Sequence, residues 1–235
     1  MGEVYAVGVG PGSPRYITDV VKEIVLYSDV VVGYKYTLNT IERLLVNKEV
    51  HEITMQNQEE VYQKIAKTLG DKTCVIPFTG DVNFSESEVV DRLIQIFGNV
   101  QIIPGVSSIQ VAAAKAQVPL DKSKVITMHV STSIEEKKIE LQKAILDGYS
   151  VIIVPRPWPK DPSRHFMQSE IALYLKNQGF DTLKIKVHVF EFLTTEKETH
   201  FVGMLKDLEG KQFSDLSVLV IDQTRLESYV DFKKQ

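Results

Sequence analysis

Three short loops carry residue types from which a binding site could be built. Residues 8–12 read GVGPG, residues 79–85 read TGDVNFS and residues 104–108 read PGVSS. Each loop lies at the end of a short apolar run. Glycine lets a backbone turn sharply and approach a ligand closely, and free amides and hydroxyls at a helix start can hold a carboxylate or a ribose. The three loops are therefore the first candidates for ligand binding.

The first loop fits a dinucleotide-binding fingerprint badly. Ser13 stands at the third fingerprint position, and Pro11 and Pro14 lack the amides that would cradle a pyrophosphate. The acid expected at the end of the second strand is also missing, because Asp29 precedes that strand. A dinucleotide site and a glycine-rich turn without a ligand both remain open at this point.

The second and third loops each allow two interpretations. Asp81 lies beyond the carboxyl end of a predicted strand, where open α/β sheets bind ligands, and could meet a cationic or hydroxylated ligand. Alternatively, Asp81 or Ser85 caps the helix that follows. Ser107 and Ser108 open an alanine-rich helix, where they either cap the helix or hold a ligand.

The elements that must position these loops alternate between strand and helix in the first half of the chain. Short apolar runs bounded by turn residues predict strands that are buried on both faces, at residues 4–9, 29–34, 73–78 and 100–105. Apolar residues at helical spacing predict helices between them, at residues 17–25, 61–69 and 89–97. This alternation is typical of parallel βαβ units.

The second half of the chain has a different pattern. It predicts strands at residues 124–130, 149–155, 184–193, 199–205 and 217–223, and helices at 134–146 and 164–178. Two of these strands flank the polar turn TTEKE, which predicts an antiparallel hairpin and a mixed sheet. The polar segment around Pro119 separates the halves. We therefore expect an α/β chain with a mainly parallel domain at residues 1–115, a mixed domain at 120–224 and a surface tail at 225–235.

Composition excludes several classes of protein. The 235-residue chain is 43% hydrophobic and 25% charged, as soluble globular domains are. Its net charge of −4 argues against nucleic acid as a partner. The start, MGEVYAVGVGPG, predicts neither a signal peptide nor a membrane anchor. Cys74 is the only cysteine and the five histidines lack metal-ligand spacing, so we expect a cytoplasmic protein without a metal site.

In this order and at this spacing, VGVGPGSPRYIT, the Gly-Asp loop and PGVSS resemble the tetrapyrrole methylases, a family of S-adenosylmethionine enzymes with two α/β domains. The resemblance covers nearly the whole chain. The stretch PGVSSIQVAAAKAQVPLDKSKVITMHVS is most similar to members that methylate cobalt-precorrin-7 at ring carbon 5, and GDVNFSE is similar to the GDPxFSG loop of archaeal members. Val82 departs from the family pattern, because most members have proline there.

The resemblance implies a C-methyltransferase that uses S-adenosylmethionine and acts on a cobalt-precorrin in cobalamin biosynthesis. It also implies a homodimer that binds a small tetrapyrrole substrate and neither nucleic acid nor a membrane. Two alternatives within the family are a uroporphyrinogen-III methylase and a diphthine synthase, although PGVSS before an alanine-rich helix argues against the second. A nucleotide-binding protein that is not a methylase is the more distant alternative.

The resemblance also implies roles for particular residues, with the cofactor folded between the two domains. The implied cofactor contacts are Asp81, Phe84, Ser107, Ser108, Val154 and Leu193. The implied substrate contacts are Gly10, Pro11, Gly12, Arg15, Arg156 and Arg164, since basic side chains recognise the carboxylates of such a ring. A sulfonium methyl group is already electrophilic, so positioning the reactants is the main requirement and no triad or metal is needed.

Two further residues are candidates with simpler alternatives. His129 follows a predicted strand, where similar enzymes also carry histidine, and could accept a proton or contact a substrate carboxylate. Alternatively, it is bonded to a neighbouring backbone group. Trp158 lies in the proline-rich run PRPWPKDP. It either packs on a face of the macrocycle or packs against apolar side chains of its own domain.

Overall fold

The computed structural model describes residues 2–84, 87–130, 133–156 and 167–223. The chain divides into two compact units, Met1–Ser108 and Ile109–Gln235, and each contains one five-stranded sheet. Within the described ranges, every helix is too short or too polar to cross a membrane. The predicted domain limits near Pro119 stay a prediction, and the predicted tail lies outside the described residues.

The sheet of the first unit is entirely parallel. Its strands are β1 (Val4–Gly8), β2 (Val30–Tyr34), β3 (Glu49–Ile53), β4 (Cys74–Phe78) and β5 (Gln101–Ile103). Their spatial order is β3-β2-β4-β1-β5. The central position of β4 and β1 places the carboxyl ends of β4, β1 and β5 side by side at one edge.

Helices follow the strands and cover the sheet. They are α1 (Asp19–Tyr27), α2 (Lys35–Thr40), α3 (Gln58–Thr68) and α4 (Ser87–Phe97). A further helix, α5 (Ser108–Ala116), begins at the last residue of this unit. The Thr18 hydroxyl caps α1 by accepting a hydrogen bond from the Val21 amide at 3.4 Å. Successive strand residues enter different cores, as Ala6 packs with Tyr62 of α3 while Val7 packs with Val21 of α1.

Two features of this sheet differ from the sequence prediction. No strand is predicted at β3, because Glu49, His51 and Glu52 interrupt its apolar pattern; pairing with β2 makes it a strand at the sheet edge. The prediction that the run at residues 100–105 is buried on both faces is wrong. Gln101 is exposed, because β5 is the opposite edge strand and pairs only with β1.

The second unit has a mixed sheet, as predicted. Its strands are β6 (Ser123–Thr127), β7 (Ser150–Val154), β8 (Lys186–Glu191), β9 (Thr199–Met204) and β10 (Ser217–Asp222). Their order is β6-β7-β10-β8-β9, with β6 and β7 parallel, β10 antiparallel to both neighbours, and β8 and β9 forming the predicted hairpin. The helices α6 (Glu135–Leu146) and α7 (Met167–Asn177) supply apolar side chains to its core.

This topology determines which loops of the second unit are neighbours. Because β10 runs opposite to both β7 and β8, the strands β6, β7 and β8 point the same way. Their carboxyl ends therefore lie at one edge of the sheet, together with the start of β10. Residues that follow β6, β7 and β8 are brought to this edge although they are far apart in sequence.

Candidate functional site

In the first unit, backbone hydrogen bonds join the glycine loop to the Gly-Asp loop. The Gly80 amide donates to the Gly10 carbonyl at 2.7 Å, and the Gly10 amide donates to the Gly80 carbonyl at 3.2 Å. This antiparallel bridge follows directly from the adjacency of β1 and β4, whose ends carry the two loops. Both glycines have positive φ, 83° and 73°, a conformation that other residues rarely adopt.

The third loop packs against the first two through Gly105. A Cβ atom added to Gly105 would lie 2.5 Å from the Gly80 carbonyl oxygen and would also overlap the Gly8 carbonyl. A Cβ added to Gly8 would lie 2.6 Å from the Gly105 amide nitrogen. The three backbones are thus close enough that only glycine fits. We call Gly8, Gly10, Gly80 and Gly105 the glycine frame.

The Asp81 carboxylate locks this arrangement. One oxygen, Oδ1, accepts the Asn83 amide at 2.8 Å, and the other, Oδ2, accepts the Gly105 amide at 2.9 Å. These bonds tie the second loop to the third, so the carboxylate braces the glycine frame. Ser85, the other proposed cap, lies outside the described residues.

The predicted cofactor contacts of the first unit surround the glycine frame. Asp81, Phe84, Ser107 and Ser108 are all partly exposed, so a ligand can reach them. A Cβ added to Gly80 would lie 3.8 Å from the Ser107 Cα and from the Ser108 amide nitrogen, which places the Gly-Asp loop in contact range of the start of α5. A close-packed backbone turn beside a helix start suits a small polar ligand such as an amino acid carboxylate or a ribose. Their cofactor role stays a prediction.

The predicted substrate contacts in and after the glycine loop differ in their exposure to solvent. Gly10 and Pro11 are buried, whereas Gly12 is partly exposed and Arg15 is exposed. Ser13 caps the short helix that carries Arg15, because its hydroxyl accepts the Arg15 amide at 3.4 Å. Gly12 and Arg15 therefore offer surface to a substrate, while Gly10 serves the frame. The substrate roles of all four residues stay predictions.

In the second unit, Val154, Arg156 and Leu193 lie at the edge where β6, β7 and β8 end. Val154 and Arg156 are partly exposed, and Leu193 is 4% exposed. The residues on either side of Leu193 have left-handed backbones, with φ of 49° at Phe192 and 68° at Thr194. Such strain in residues other than glycine is concentrated at functional sites. Arg164 and Trp158 lie outside the described residues.

His129 lies at the same edge, directly after β6. One ring nitrogen, Nε2, is shielded from water and has no hydrogen-bond partner in the part of the chain that is described. The catalytic role of His129 and the alternative of a backbone-bonded histidine both stay predictions. Burial lowers the pKa of His129, and the Pro155 carbonyl and the nearby Asp215 carboxylate oppose this shift.

Asp215 is a residue that the sequence did not single out. It lies just before β10, which the topology brings to the same edge. Desolvation raises the pKa of its carboxyl, although the residue is exposed, and His129 opposes the shift. Asp215 lies in the polar stretch KQFSDL, and its spacing from other residues matches no catalytic or binding motif. Only the strand order could have identified it as a neighbour of His129.

Comparison with known proteins identifies relatives over most of the chain. The family model of the tetrapyrrole (corrin/porphyrin) methylases matches residues 3–209. A probable cobalt-precorrin-7 C(5)-methyltransferase of Methanocaldococcus jannaschii is 30% identical over 224 residues, which are 93% of this chain and 97% of that protein.

Solved structures show the same fold. The methyltransferase CobJ superimposes with a TM-score of 0.77 at 18% identity, over 95% of both chains. The precorrin-6Y methylase CbiE of Archaeoglobus fulgidus superimposes with a TM-score of 0.66 at 20% identity, over 94% of this chain and 98% of that one. At these identities the likeness establishes the α/β architecture.

Proposed function

Because this chain belongs to the tetrapyrrole methylase family, whose members take their methyl group from S-adenosylmethionine, we propose that it methylates cobalt-precorrin-7 at ring carbon 5 in cobalamin biosynthesis. The observation that carries the proposal is the 30% identity to a probable cobalt-precorrin-7 C(5)-methyltransferase over nearly the full length of both chains. The family assignment and the methyltransferase class do not depend on this choice of substrate.

In the first unit, we assign Asp81, Phe84, Ser107 and Ser108 to the binding of S-adenosylmethionine. Their support is their common position around the glycine frame and their partial exposure. S-adenosylmethionine brings a methyl group that is already activated as a sulfonium, so the protein has mainly to orient the reactants and exclude water. In the second unit, the resemblance gives Val154 and Leu193 the same role.

We assign Arg15 and Arg156 to the acetate and propionate groups of the tetrapyrrole. Both residues follow a strand, Arg15 is exposed and Arg156 is partly exposed, and guanidinium groups bind carboxylates through paired hydrogen bonds. Gly12 supports the same role by its exposure, while Gly10, Pro11 and Arg164 are assigned by resemblance alone. Loss of either described arginine should impair substrate use and leave cofactor affinity unchanged.

The reaction can be tested with the purified protein. We expect one methyl group to pass from carbon-13-labelled S-adenosylmethionine to cobalt-precorrin-7, with mass spectrometry counting the methyl groups and carbon-13 NMR locating the new one at carbon 5. Uroporphyrinogen III and unmodified elongation factor serve as competing substrates. Methylation of uroporphyrinogen III alone would transfer the assignment to the uroporphyrinogen branch, and methylation of the elongation factor would transfer it to the diphthine branch.

A binding panel separates the methylase from the nucleotide-binding alternative. We expect calorimetry to detect S-adenosylhomocysteine binding and no comparable binding of nicotinamide nucleotides, because Ser13, Pro11 and Pro14 do not form a pyrophosphate cradle. Preference for a nicotinamide nucleotide would contradict the proposed cofactor.

A further inference from the structure

Strand β9 is an outer edge of the second sheet in the described chain, and half of its backbone groups point away from β8. The Leu205 amide, directly after β9, donates to the Ile185 carbonyl at 2.8 Å, so it points towards β8. The Met204 amide points the other way, because it donates to the Asp207 carboxylate at 2.8 Å. Neighbouring residues of a strand alternate in this direction, so the amides and carbonyls of His200 and Val202 also point away from the sheet.

β9 lacks the features that usually protect an exposed strand edge. The described strands form four such edges, at β3, β5, β6 and β9. β3 carries two glutamates, β6 carries a lysine, and β5 is only three residues long. β9 is six residues long, and its sequence THFVGM contains neither a carboxylate, a lysine, an arginine nor a proline. An edge of this kind is a template for another strand, and native proteins normally charge it or cover it.

The two faces of β9 differ in what covers them. On one face, the Phe201 ring packs against the Phe213 ring, with the ring centroids 5.8 Å apart. On the other face, Val202 is 50% exposed and Met204 is 39% exposed. The His200 ring on this face stacks on an aromatic ring of β8, with the centroids 4.1 Å apart. The open face is therefore apolar and partly fixed in place before a partner binds, which reduces the entropy that binding costs.

The outward-pointing residues of β9 can pair with a copy of the same strand around a two-fold axis at Val202. In an antiparallel pair centred there, Val202 faces Val202 of the partner subunit, and His200 faces Met204 of the partner subunit. All three residues direct their backbone groups outward, as an antiparallel ladder requires. The Val202 amide then donates to its counterpart's carbonyl and the His200 amide to the Met204 carbonyl, while the Met204 amide keeps its bond to Asp207.

The charges that flank β9 are complementary about the same axis. Lys197 and Asp207 lie five residues on either side of Val202, and Glu198 and Lys206 lie four residues on either side. Each acidic position therefore faces a lysine in the antiparallel pair, and opposite charges at facing positions stabilise a pair and help to fix its register. An axis one residue earlier would instead place Glu198 opposite a methionine and Lys197 opposite a leucine.

We propose that a second copy of this chain pairs with the edge of β9, with the two-fold axis at Val202, so that two mixed sheets join into one continuous sheet. Such an interface uses the same surface on both copies and closes after two subunits. It also covers the edge that neither charge nor short length protects. The inference concerns β9 alone and does not depend on which tetrapyrrole is the substrate.

Cysteine cross-linking tests the position of the axis. Cys74 is the only cysteine of the chain and is buried, so Val202→Cys adds an accessible thiol without competition. Facing residues in a hydrogen-bonded antiparallel pair have Cα atoms about 5.5 Å apart, which suits a disulfide. We expect mild oxidation to give covalent dimers of Val202→Cys. The control is Val50→Cys in the other sheet, since Val50 is also an edge-strand valine and is 40% exposed; it should stay uncross-linked.

A charge placed on the axis tests the interface itself. Val202→Lys should raise the dissociation constant of the dimer at least about tenfold, because two ammonium groups would face each other and the apolar contact would be lost. Val50→Lys should leave the constant unchanged. Light scattering over a dilution series measures the constant, and urea unfolding checks that both variants fold.

Three outcomes would overturn the inference. They are a wild-type protein that is monomeric at every concentration, a dimer that Val202→Lys leaves intact, and a dimeric Val202→Cys protein that forms no disulfide on oxidation. The cross-linking result decides the question even if Val202→Lys does not fold. Methyl transfer enters neither experiment, so loss of the proposed function and loss of this interface are distinguishable.

Discussion

Both carboxylate oxygens of Asp81 accept backbone amides, and this makes the residue a brace between two loops. The bond to Gly105 spans 24 residues of sequence, so it restrains the start of α5 as well as the Gly-Asp loop. A ligand held by these loops depends on the brace whether or not it also contacts the carboxylate. Asp81 therefore affects cofactor affinity through the shape of the site.

We predict that Asp81→Ala lowers both stability and cofactor affinity. Hydrogen bonds to a charged acceptor contribute roughly 1.5–3 kcal/mol each, and partial exposure reduces that value here, so we expect a loss of about 1–3 kcal/mol in unfolding free energy. Urea unfolding measures the stability, with the exposed Asp91→Ala of α4 as control. Calorimetry measures S-adenosylhomocysteine affinity, with Arg15→Ala as control; equal affinities for Asp81→Ala and wild type would remove Asp81 from the site.

Two histidines predict how stability depends on pH. Partial desolvation lowers the pKa of His129 and of His200, so between the lowered values and the ordinary value of 6.5 the unfolded chain binds more protons than the folded one. Stability should therefore be constant above about pH 6.5 and fall as the pH decreases below it. Urea unfolding across this range measures the slope. His129→Gln should reduce the slope; an unchanged slope would show that His129 is not buried in its neutral form.

At the scale of elements, the glycine frame explains why three loops act together. Adjacent parallel strands place the loops side by side, and glycine lets their backbones touch. The frame holds Asp81 on one side and the start of α5 on the other. A side chain inserted into the frame would move both sets of predicted cofactor contacts.

A matched pair of glycine variants tests the frame. Gly105→Ala places a Cβ against two backbone carbonyls, and backbone cannot move aside cheaply, so we expect a loss of several kcal/mol or failure to fold. Gly98→Ala meets no atom within 4 Å and carries only the cost of its positive φ of 81°, about 1 kcal/mol. Thermal unfolding compares the two. Similar losses for both variants would mean that the close packing at Gly105 contributes nothing.

At the scale of the whole molecule, the remaining prediction is the homodimer. It rests on the resemblance to paired family members and on the general frequency of two-fold dimers among soluble proteins. We expect light scattering to give twice the monomer mass at micromolar concentration, unchanged on moderate dilution. A monomer mass throughout the concentration series would reject the prediction.

The sequence alone determined the α/β class, the family and the positions of nine of the ten strands that the described residues form, because these depend on local patterns. Apolar runs ending in glycine or proline specify strands, and apolar residues at helical spacing specify the helices that cover them. The polar strand β3 was missed because it has no apolar run. Only its pairing with β2 makes it a strand.

The tertiary structure alone decided how the candidate residues are used. The Asp81 carboxylate is bonded to the Gly105 amide, a partner 24 residues away in sequence. The pair forms because the strand order places the ends of β4 and β5 on either side of β1, and no local pattern of residues encodes that order. Residue type thus identified which side chains could do chemistry, while the folded backbone determined which of their atoms are already bonded and which are left for a ligand.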